Sequence, residues 1–338
     1  MFLINSNKMF FMLIMVFSTM ISISTNSWLG CWMGLEINLL SFIPLISNNK
    51  NLLMTETALK YFLVQSIASI NFIFFVLLSS FSMKMLFFNN LLEMFVNSSL
   101  FMKMGAAPFH FWFPNIIESM SWMNCFLLMT WQKISPMILL SYFFNKNFLI
   151  CIVIITAFTG AISGLNQSSL RKTLVFSSIN HLSWLLLAMM LSETYWNFYF
   201  VIYSFLMLVI CFMMKMMNYT HFNQIFFSKF NLMLKMFFFF NLLSLGGLPP
   251  FLGFLPKWMI IKFLMKMKFI FITFTLLLTA LITLFFYIRI SYSSLLLSNM
   301  KKKWFNLFFM KKTMYMSSIL SFISMSSLML STMIFYIF

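Results

Sequence analysis

Lys103-Met-Gly-Ala-Ala-Pro-Phe-His-Phe-Trp-Phe-Pro114 sets a charge, a glycine, two prolines and a histidine inside a run of sequence otherwise suited to lipid. A lysine in the middle of a membrane helix costs roughly 2.5–3.5 kcal/mol on insertion scales, so one that is kept there points to function. Pro108 lacks an amide proton and its ring clashes with the preceding turn, so a helix entering this stretch should break between Gly105 and Pro108. Broken backbone at membrane depth survives only where it is buried in protein or lines a wet cavity. The stretch therefore reads as part of a polar pathway through a helical membrane protein.

The composition around it agrees. Of 338 residues 62% are hydrophobic and only 8% charged, with a mean hydropathy of +0.96, against about 25% charged in a soluble domain. The net charge of +17 comes from 22 Lys/Arg against five Glu. These basic residues stand singly or in short runs between apolar segments. That pattern favours a topological role over nucleic-acid binding, because positive loops are retained on one side of a membrane. Cys31, Cys125, Cys151 and Cys211 are far apart in apolar segments, with no C-x-x-C pair, so they read as buried thiols rather than as metal or cluster ligands. No glycine-rich nucleotide fingerprint is present, and the absence of Asp removes the usual magnesium ligands.

About 20 apolar residues make one crossing. On that rule the sequence predicts helices at 9–25, 27–46, 55–82, 91–120 (broken), 123–144, 148–165, 172–192, 196–217, 235–263 (broken), 269–298 and 315–337. The expectation is an all-α polytopic membrane protein of about eleven transmembrane helices, forming a single domain over 1–338, with the N-terminal run kept as a span. Alternating the loops places twelve basic residues on the side of the N-terminus and five on the other. The N-terminus should then face the negative-inside compartment.

The remaining basic residues sit close to or within the spans. Lys60 follows Glu56 by four residues, the spacing of an interfacial ion pair. Arg289 can snorkel or bind a carbonyl. Lys103, Lys133 and Lys257 fall deep. Lys133 precedes Pro136, which should kink its helix, and Lys257 directly follows Pro256.

Pro108-Phe-His-Phe-Trp-Phe-Pro114 and Pro250-Phe-Leu-Gly-Phe-Leu-Pro256 share prolines six apart, the first followed by Phe, and each follows a glycine-containing stretch. The two broken spans are five crossings apart by count. An odd offset makes them opposite in direction, which is the sign of an antiporter-like inverted repeat with two discontinuous helices.

Taking a charge out of water disfavours it, and an opposite charge nearby restores it. Lysine, glutamate and histidine linked by water can therefore pass protons and respond to one another. The candidates are Glu36, Lys103, Lys133, His181 and Lys257. Glu36 lies eight residues past Trp28, about 12 Å deep if that ring marks the interface. Lys133 is the expected central carrier. Glu36 and Lys103 are each expensive alone, so they are expected to share the cost as a pair. His181 follows Ser177-Ser-Ile-Asn180, a polar patch equally suited to a helix–helix hydrogen bond. His110 adjoins Pro108 and Trp112 and reads as packing, and His221 as solvated.

Four segments together resemble one family: Asn26-Ser-Trp-Leu-Gly-Cys-Trp-Met-Gly-Leu-Glu36-Ile-Asn38, the stretch Lys103–Pro114, Leu165-Asn-Gln-Ser-Ser-Leu-Arg-Lys172 with Ser177-Ser-Ile-Asn-His181, and Leu245-Gly-Gly-Leu-Pro-Pro-Phe-Leu-Gly-Phe-Leu-Pro-Lys-Trp258. They look like the chain 2 family of mitochondrial NADH–ubiquinone oxidoreductase, in one order over nearly the whole length. The resemblance implies an antiporter-like core subunit in the membrane arm of respiratory complex I, where protons cross while other subunits pass electrons from NADH to ubiquinone. The animal form implied has eleven helices, three fewer than bacterial members. By position, Glu36 and Lys103 match the family's carboxylate–lysine pair, Lys133 its central lysine, Lys257 the lysine of the second broken helix, and His181 a histidine of the hydrophilic axis. Ser183 departs from the glycine common there, which puts tight helix contact in question.

The resemblance also implies a translocase subunit in the mitochondrial inner membrane, with the basic loops and N-terminus in the matrix. Its partners would be other membrane-arm and accessory subunits of the complex, with phospholipids such as cardiolipin. Flavin, iron–sulfur clusters and quinone site would reside in other subunits, with no cofactor in this chain. Two alternatives stand beside it: a freestanding cation/proton antiporter of the same ancestry, and a membrane scaffold whose buried charges only hold helices together.

Overall fold

The computed structural model describes residues 6–48, 51–81, 86–143, 145–227 and 232–298, with 321, 322 and 324. In chain order its helices are α1 (Ser6–Ser24), α2 (Trp28–Ile46), α3 (Leu52–Phe81), α4 (Leu86–Met104), α5 (Trp112–Ile117), α6 (Trp122–Met129) and α7 (Trp131–Tyr142). There follow α8 (Lys146–Gly164), α9 (Leu170–Leu191), α10 (Glu193–Met217), α11 (Phe222–Phe227), α12 (Leu232–Gly246), α13 (Phe254–Lys266) and α14 (Ile270–Ser298). Among the described residues there is no strand, and the isolated bridge is an antiparallel one between Ser169 and His221.

Each of the first ten expected spans is met by helix. The broken spans appear as α4 with α5 and as α12 with α13, and the eleventh, 315–337, lies almost wholly outside the described residues. Among the described residues seven helices are long and apolar enough to cross a membrane unbroken. Two features differ from the sequence reading. The short α11 was not expected. The span at 123–144, expected as one helix kinked at Pro136, is interrupted at Thr130 instead, while Pro136 lies inside α7. Pro136 gives no amide to the Gln132 carbonyl and crowds it, which loosens the turn before it. Thr130 completes the interruption: its hydroxyl and its amide both donate to the Phe126 carbonyl, at 2.7 and 3.0 Å, and its φ of −118° departs from the helical value.

Side chains are distributed as lipid requires. Phe10, Phe17, Phe271, Phe274 and Leu281 point outward on α1 and α14, apolar area that water would penalise and lipid does not. Inward-facing Ser and Thr donate to the carbonyl three residues back, as Ser22, Ser99, Ser177 and Thr279 do, so these hydroxyls are satisfied without water.

The chain forms two compact units, Met1–Ile152 and Val153–Phe338. In the first, α2 packs between α1 and α3, and α4 packs on both α3 and α7. Phe42, Phe72, Phe101 and Phe113 fill its interior. In the second, α9 is the centre: α10, α13 and α14 all pack on it, and its residues are buried on every side, as an apolar helix without a solvent face must be. Ser183 fits this core with its hydroxyl donating 2.6 Å to the Asn180 carbonyl, so no glycine is needed there.

Candidate functional site

The first break is a helix end closed by its own backbone. Gly105 adopts φ +72°, its amide donates to the Met102 carbonyl at 3.3 Å, and the Ala106 amide to the Phe101 carbonyl at 3.0 Å. This paired closure satisfies two of the carbonyls that a helix terminus leaves open, and the left-handed residue it requires is best supplied by glycine. Side chains take the rest. Trp112 Nε1 donates to the Met102 carbonyl at 3.1 Å, and Gln65 Nε2 of α3 donates to the Lys103 carbonyl at 3.1 Å. The helix ends at Met104, four residues before Pro108, and Pro114 lies in the first turn of α5, where a missing amide costs nothing.

The second break repeats this in the same register. Gly247 has φ +87°, its amide donates to the Ser244 carbonyl at 3.0 Å, and the Leu248 amide to the Leu243 carbonyl at 3.4 Å. Residues 105–111 and 247–253 link the half-helices, Gly105 precedes Pro108 and Gly247 precedes Pro250 by three, and Pro256 stands third in α13 as Pro114 stands third in α5. Ala107–Pro108 and Pro249–Pro250 are both cis. The proline spacing noticed in the sequence is thus the footprint of one closing motif used twice.

Lys103 and Lys133 are brought together. They are 7% and 1% exposed and line one small cavity of about 20 Å³ in the first unit, with Asn38, Gln65, Gln132 and Ser135 supplying polar groups to its wall. Gln132 Nε2 donates to Asn38 Oδ1 at 3.0 Å, and the Lys133 ammonium lies 5.3 Å from the centre of the Phe113 ring. A cavity with this many polar groups can hold water between two amines. Glu36, half-buried on α2, is within electrostatic reach of Lys103. No ion pair within 4.0 Å joins the two among the described residues, and Glu36 is not in the cavity wall.

In the second unit Lys257 is 5% exposed, and its ammonium donates to the carbonyls of Gly246 at 2.9 Å and Leu245 at 3.3 Å. It thus covers the negative C-terminal end of α12. The Trp184 ring lies 5.9 Å from the same ammonium. Three residues before Trp184, buried His181 holds Nδ1 2.8 Å from the Tyr199 hydroxyl, and its ring is 5.1 Å from that of Tyr203.

The lesser candidates resolve simply. Lys60 and Glu56 form their ion pair at 2.6 Å, and His110 lies against the Phe111 ring at 4.3 Å. Arg289 is exposed and lines a cavity of about 350 Å³ with Asn166, Gln167, Ser168 and Asn223. The four cysteines are free, three of them buried as expected while Cys151 is exposed, and no group of His, Cys, Asp or Glu suited to a metal occurs among the described residues. Sequence reasoning missed Gln65, Trp112, Gln132 and Tyr199. Gln65 and Gln132 carried a usable signal, since an amide inside an apolar run needs a partner.

Two broken helices with the same closure, each with a buried lysine at the break, and a further lysine deep in a polar cavity define an antiporter-like membrane subunit. A profile of the family described as NADH:quinone oxidoreductase/Mrp antiporter, transmembrane, matches residues 25–283. NADH-ubiquinone oxidoreductase chain 2 of Anopheles gambiae is 48% identical, over 97% of both chains, and that of Locusta migratoria 45%, over 95% and 94%. A chain of respiratory complex I from Thermus thermophilus has the same fold, with a TM-score of 0.82 at 18% identity, over 96% of this chain and 79% of that one. The chain is a multi-pass membrane protein that belongs to this transmembrane family and, within it, to the NADH-ubiquinone oxidoreductase chain 2 proteins.

Proposed function

We propose that this chain carries protons across the mitochondrial inner membrane as a core membrane-arm subunit of respiratory complex I, while electron transfer from NADH to ubiquinone occurs in partner subunits. The observation that carries this reading is the polar cavity of the first unit, which holds Lys103 and Lys133 together behind a closed helix break. Two buried amines facing one wettable space, with a carboxylate in reach of one of them, are suited to moving a proton and unnecessary for packing. The Glu36 carboxylate controls the Lys103 proton, which passes through cavity water to Lys133 when the carboxylate withdraws. In the second unit Lys257 and His181 serve as further carriers.

On this reading the N-terminus and the basic loops face the matrix, where positive segments are retained. Flavin, iron–sulfur clusters and quinone belong to other subunits, and lipids such as cardiolipin bathe the outer apolar faces. The whole chain acts as one antiporter-like domain.

The decisive experiment replaces Lys133 by Met in the assembled complex, keeping the apolar stem and removing the amine. Assembly should persist while protons moved per electron fall. An unchanged ratio would sink the reading. The family name also covers Mrp antiporters, so the purified chain should be tested alone in liposomes, where cation-for-proton exchange would favour the freestanding antiporter.

A further inference from the structure

Tyr199 is 1% exposed, and its hydroxyl stands 2.8 Å from His181 Nδ1. His181 lies on α9, which protein surrounds on every side, so a proton reaching the imidazole needs a built way onward. The neighbouring phenol, Tyr203, covers the ring at 5.1 Å, and its hydroxyl is engaged by the Ser178 side chain. Tyr199 is the oxygen directly on the ring nitrogen.

We propose that Tyr199 is a proton-relay residue that takes the His181 proton and passes it along α10 toward the N-terminal end of that helix. The proposal rests on the reading that His181 carries protons.

A neutral imidazole has one donor and one acceptor nitrogen, and an imidazolium has two donors. With Nδ1 bare, the Tyr199 hydroxyl donates to it. With Nδ1 protonated, the ring donates and the phenol oxygen accepts. The bond at 2.8 Å survives both states but reverses, and protonation of Nδ1 turns the phenol proton away from the ring. In the transfer the N–H bond of His181 breaks as a new O–H bond forms on Tyr199. The original O–H proton leaves to the next acceptor, so the hydroxyl begins and ends neutral.

That acceptor has a place on the helix. Tyr195, Tyr199 and Tyr203 recur every four residues, so they share one face of α10. Each step along that face rises about 6 Å, the span of one bridging water. Tyr195 is only partly buried, packs on Phe263 at 5.5 Å, and sits in the first turn of α10, where its amide bonds the Ser192 hydroxyl. The stripe therefore runs from the buried histidine to a helix end. The chain has 49 Phe and 10 Tyr, so if aromatic filling were the sole requirement, phenylalanine would be the residue expected at these positions. Two phenols beside a buried histidine, with a third in register toward the helix end, indicate that the oxygens are used.

The experiment replaces Tyr199 by Phe, which removes only the oxygen, in the assembled complex, alongside His181→Gln and the double variant. Complex content and protons per electron are measured together. Tyr199→Phe is expected to assemble fully and to lose the same share of proton translocation as His181→Gln, with no further loss in the double variant. Normal translocation in Tyr199→Phe beside a defective His181→Gln overturns the relay alone, as do additive losses. Normal translocation in His181→Gln overturns the underlying reading instead. Should Tyr199→Phe fail to assemble, Tyr195→Phe at its half-exposed site replaces it: loss supports the relay and full translocation refutes it.

Discussion

The Lys257 ammonium donates to the carbonyl of Leu245 at 3.3 Å, and Leu245 occupies in the second break the place that Lys103 occupies in the first. The two breaks share their glycine, their proline register and their backbone closure, yet they put the lysine on opposite sides of the gap. Where the lysine precedes the gap, its own carbonyl is covered by the neutral amide of Gln65. Where it follows the gap, the lysine itself does the covering. Lys103 is thereby left with a side chain free to face the cavity, while Lys257 is held to backbone.

Lys257→Met should weaken the protein as well as its function. It uncovers two carbonyls at membrane depth, each worth about 1–3 kcal/mol when left unpaired. Lys257→Gln keeps a donor and should restore assembly without restoring proton translocation. Thermal dissociation of the complex, read beside protons per electron, separates the two effects. A Met variant as stable as the native protein would show that the cap is incidental.

Gly247→Ala should be destabilising by about 1–2 kcal/mol from the left-handed backbone alone. The added methyl would also stand 3.0 Å from the Lys257 ammonium. Gly246→Ala is the matched control, since its methyl would meet Tyr287 at an ordinary 3.5 Å. Lower dissociation temperature is expected for the first variant only, and equal behaviour of both would contradict the assigned closure.

Gln65→Leu removes the cover from the Lys103 carbonyl without touching either lysine. The backbone at the first break should open more often, and amide exchange over 100–112 should speed up by about 10-fold for each 1.4 kcal/mol lost. Mass-spectrometric exchange on the assembled complex reads this directly. Unchanged exchange would mean that Gly105 and Trp112 close the break unaided.

The spans were legible because an apolar run long enough to cross lipid has one stable conformation there, with every backbone group paired within the helix. Both major breaks were legible because glycine and proline mark them chemically. Thr130 was not, since no glycine or proline stands at the interruption and its cause, Pro136, lies six residues on. Lys103, Lys133 and Lys257 announced themselves by the cost of charge in lipid. Which groups they would meet was not legible. Gln65 lies 38 residues from the carbonyl it covers, and a tyrosine such as Tyr199 fills a core as well as phenylalanine does, so its oxygen gives no signal until His181 is seen beside it. Only the fold supplies such distances.

Glu36 and Lys103 provide the final prediction. The carboxylate acts on the ammonium electrostatically, yet no ion pair within 4.0 Å joins them among the described residues. Glu36 is half-buried and outside the cavity wall that holds Lys103 and Lys133. A structural ion pair would be closed, and loss of one partner would strand a buried charge at a cost of about 3–5 kcal/mol. A switch needs the reverse: a carboxylate near enough to hold the proton on Lys103 and loose enough to withdraw. Glu36→Gln keeps shape and hydrogen bonding while removing that control, so the complex should assemble fully and move fewer protons per electron. Lys103→Met should also assemble, since Glu36 is only half-buried and lies outside the cavity wall, and should lose translocation to a similar extent. Poor assembly of both variants would assign the pair to structure. Full assembly with normal translocation in both would remove it from the mechanism, and Lys133 would then have to receive its protons by another route.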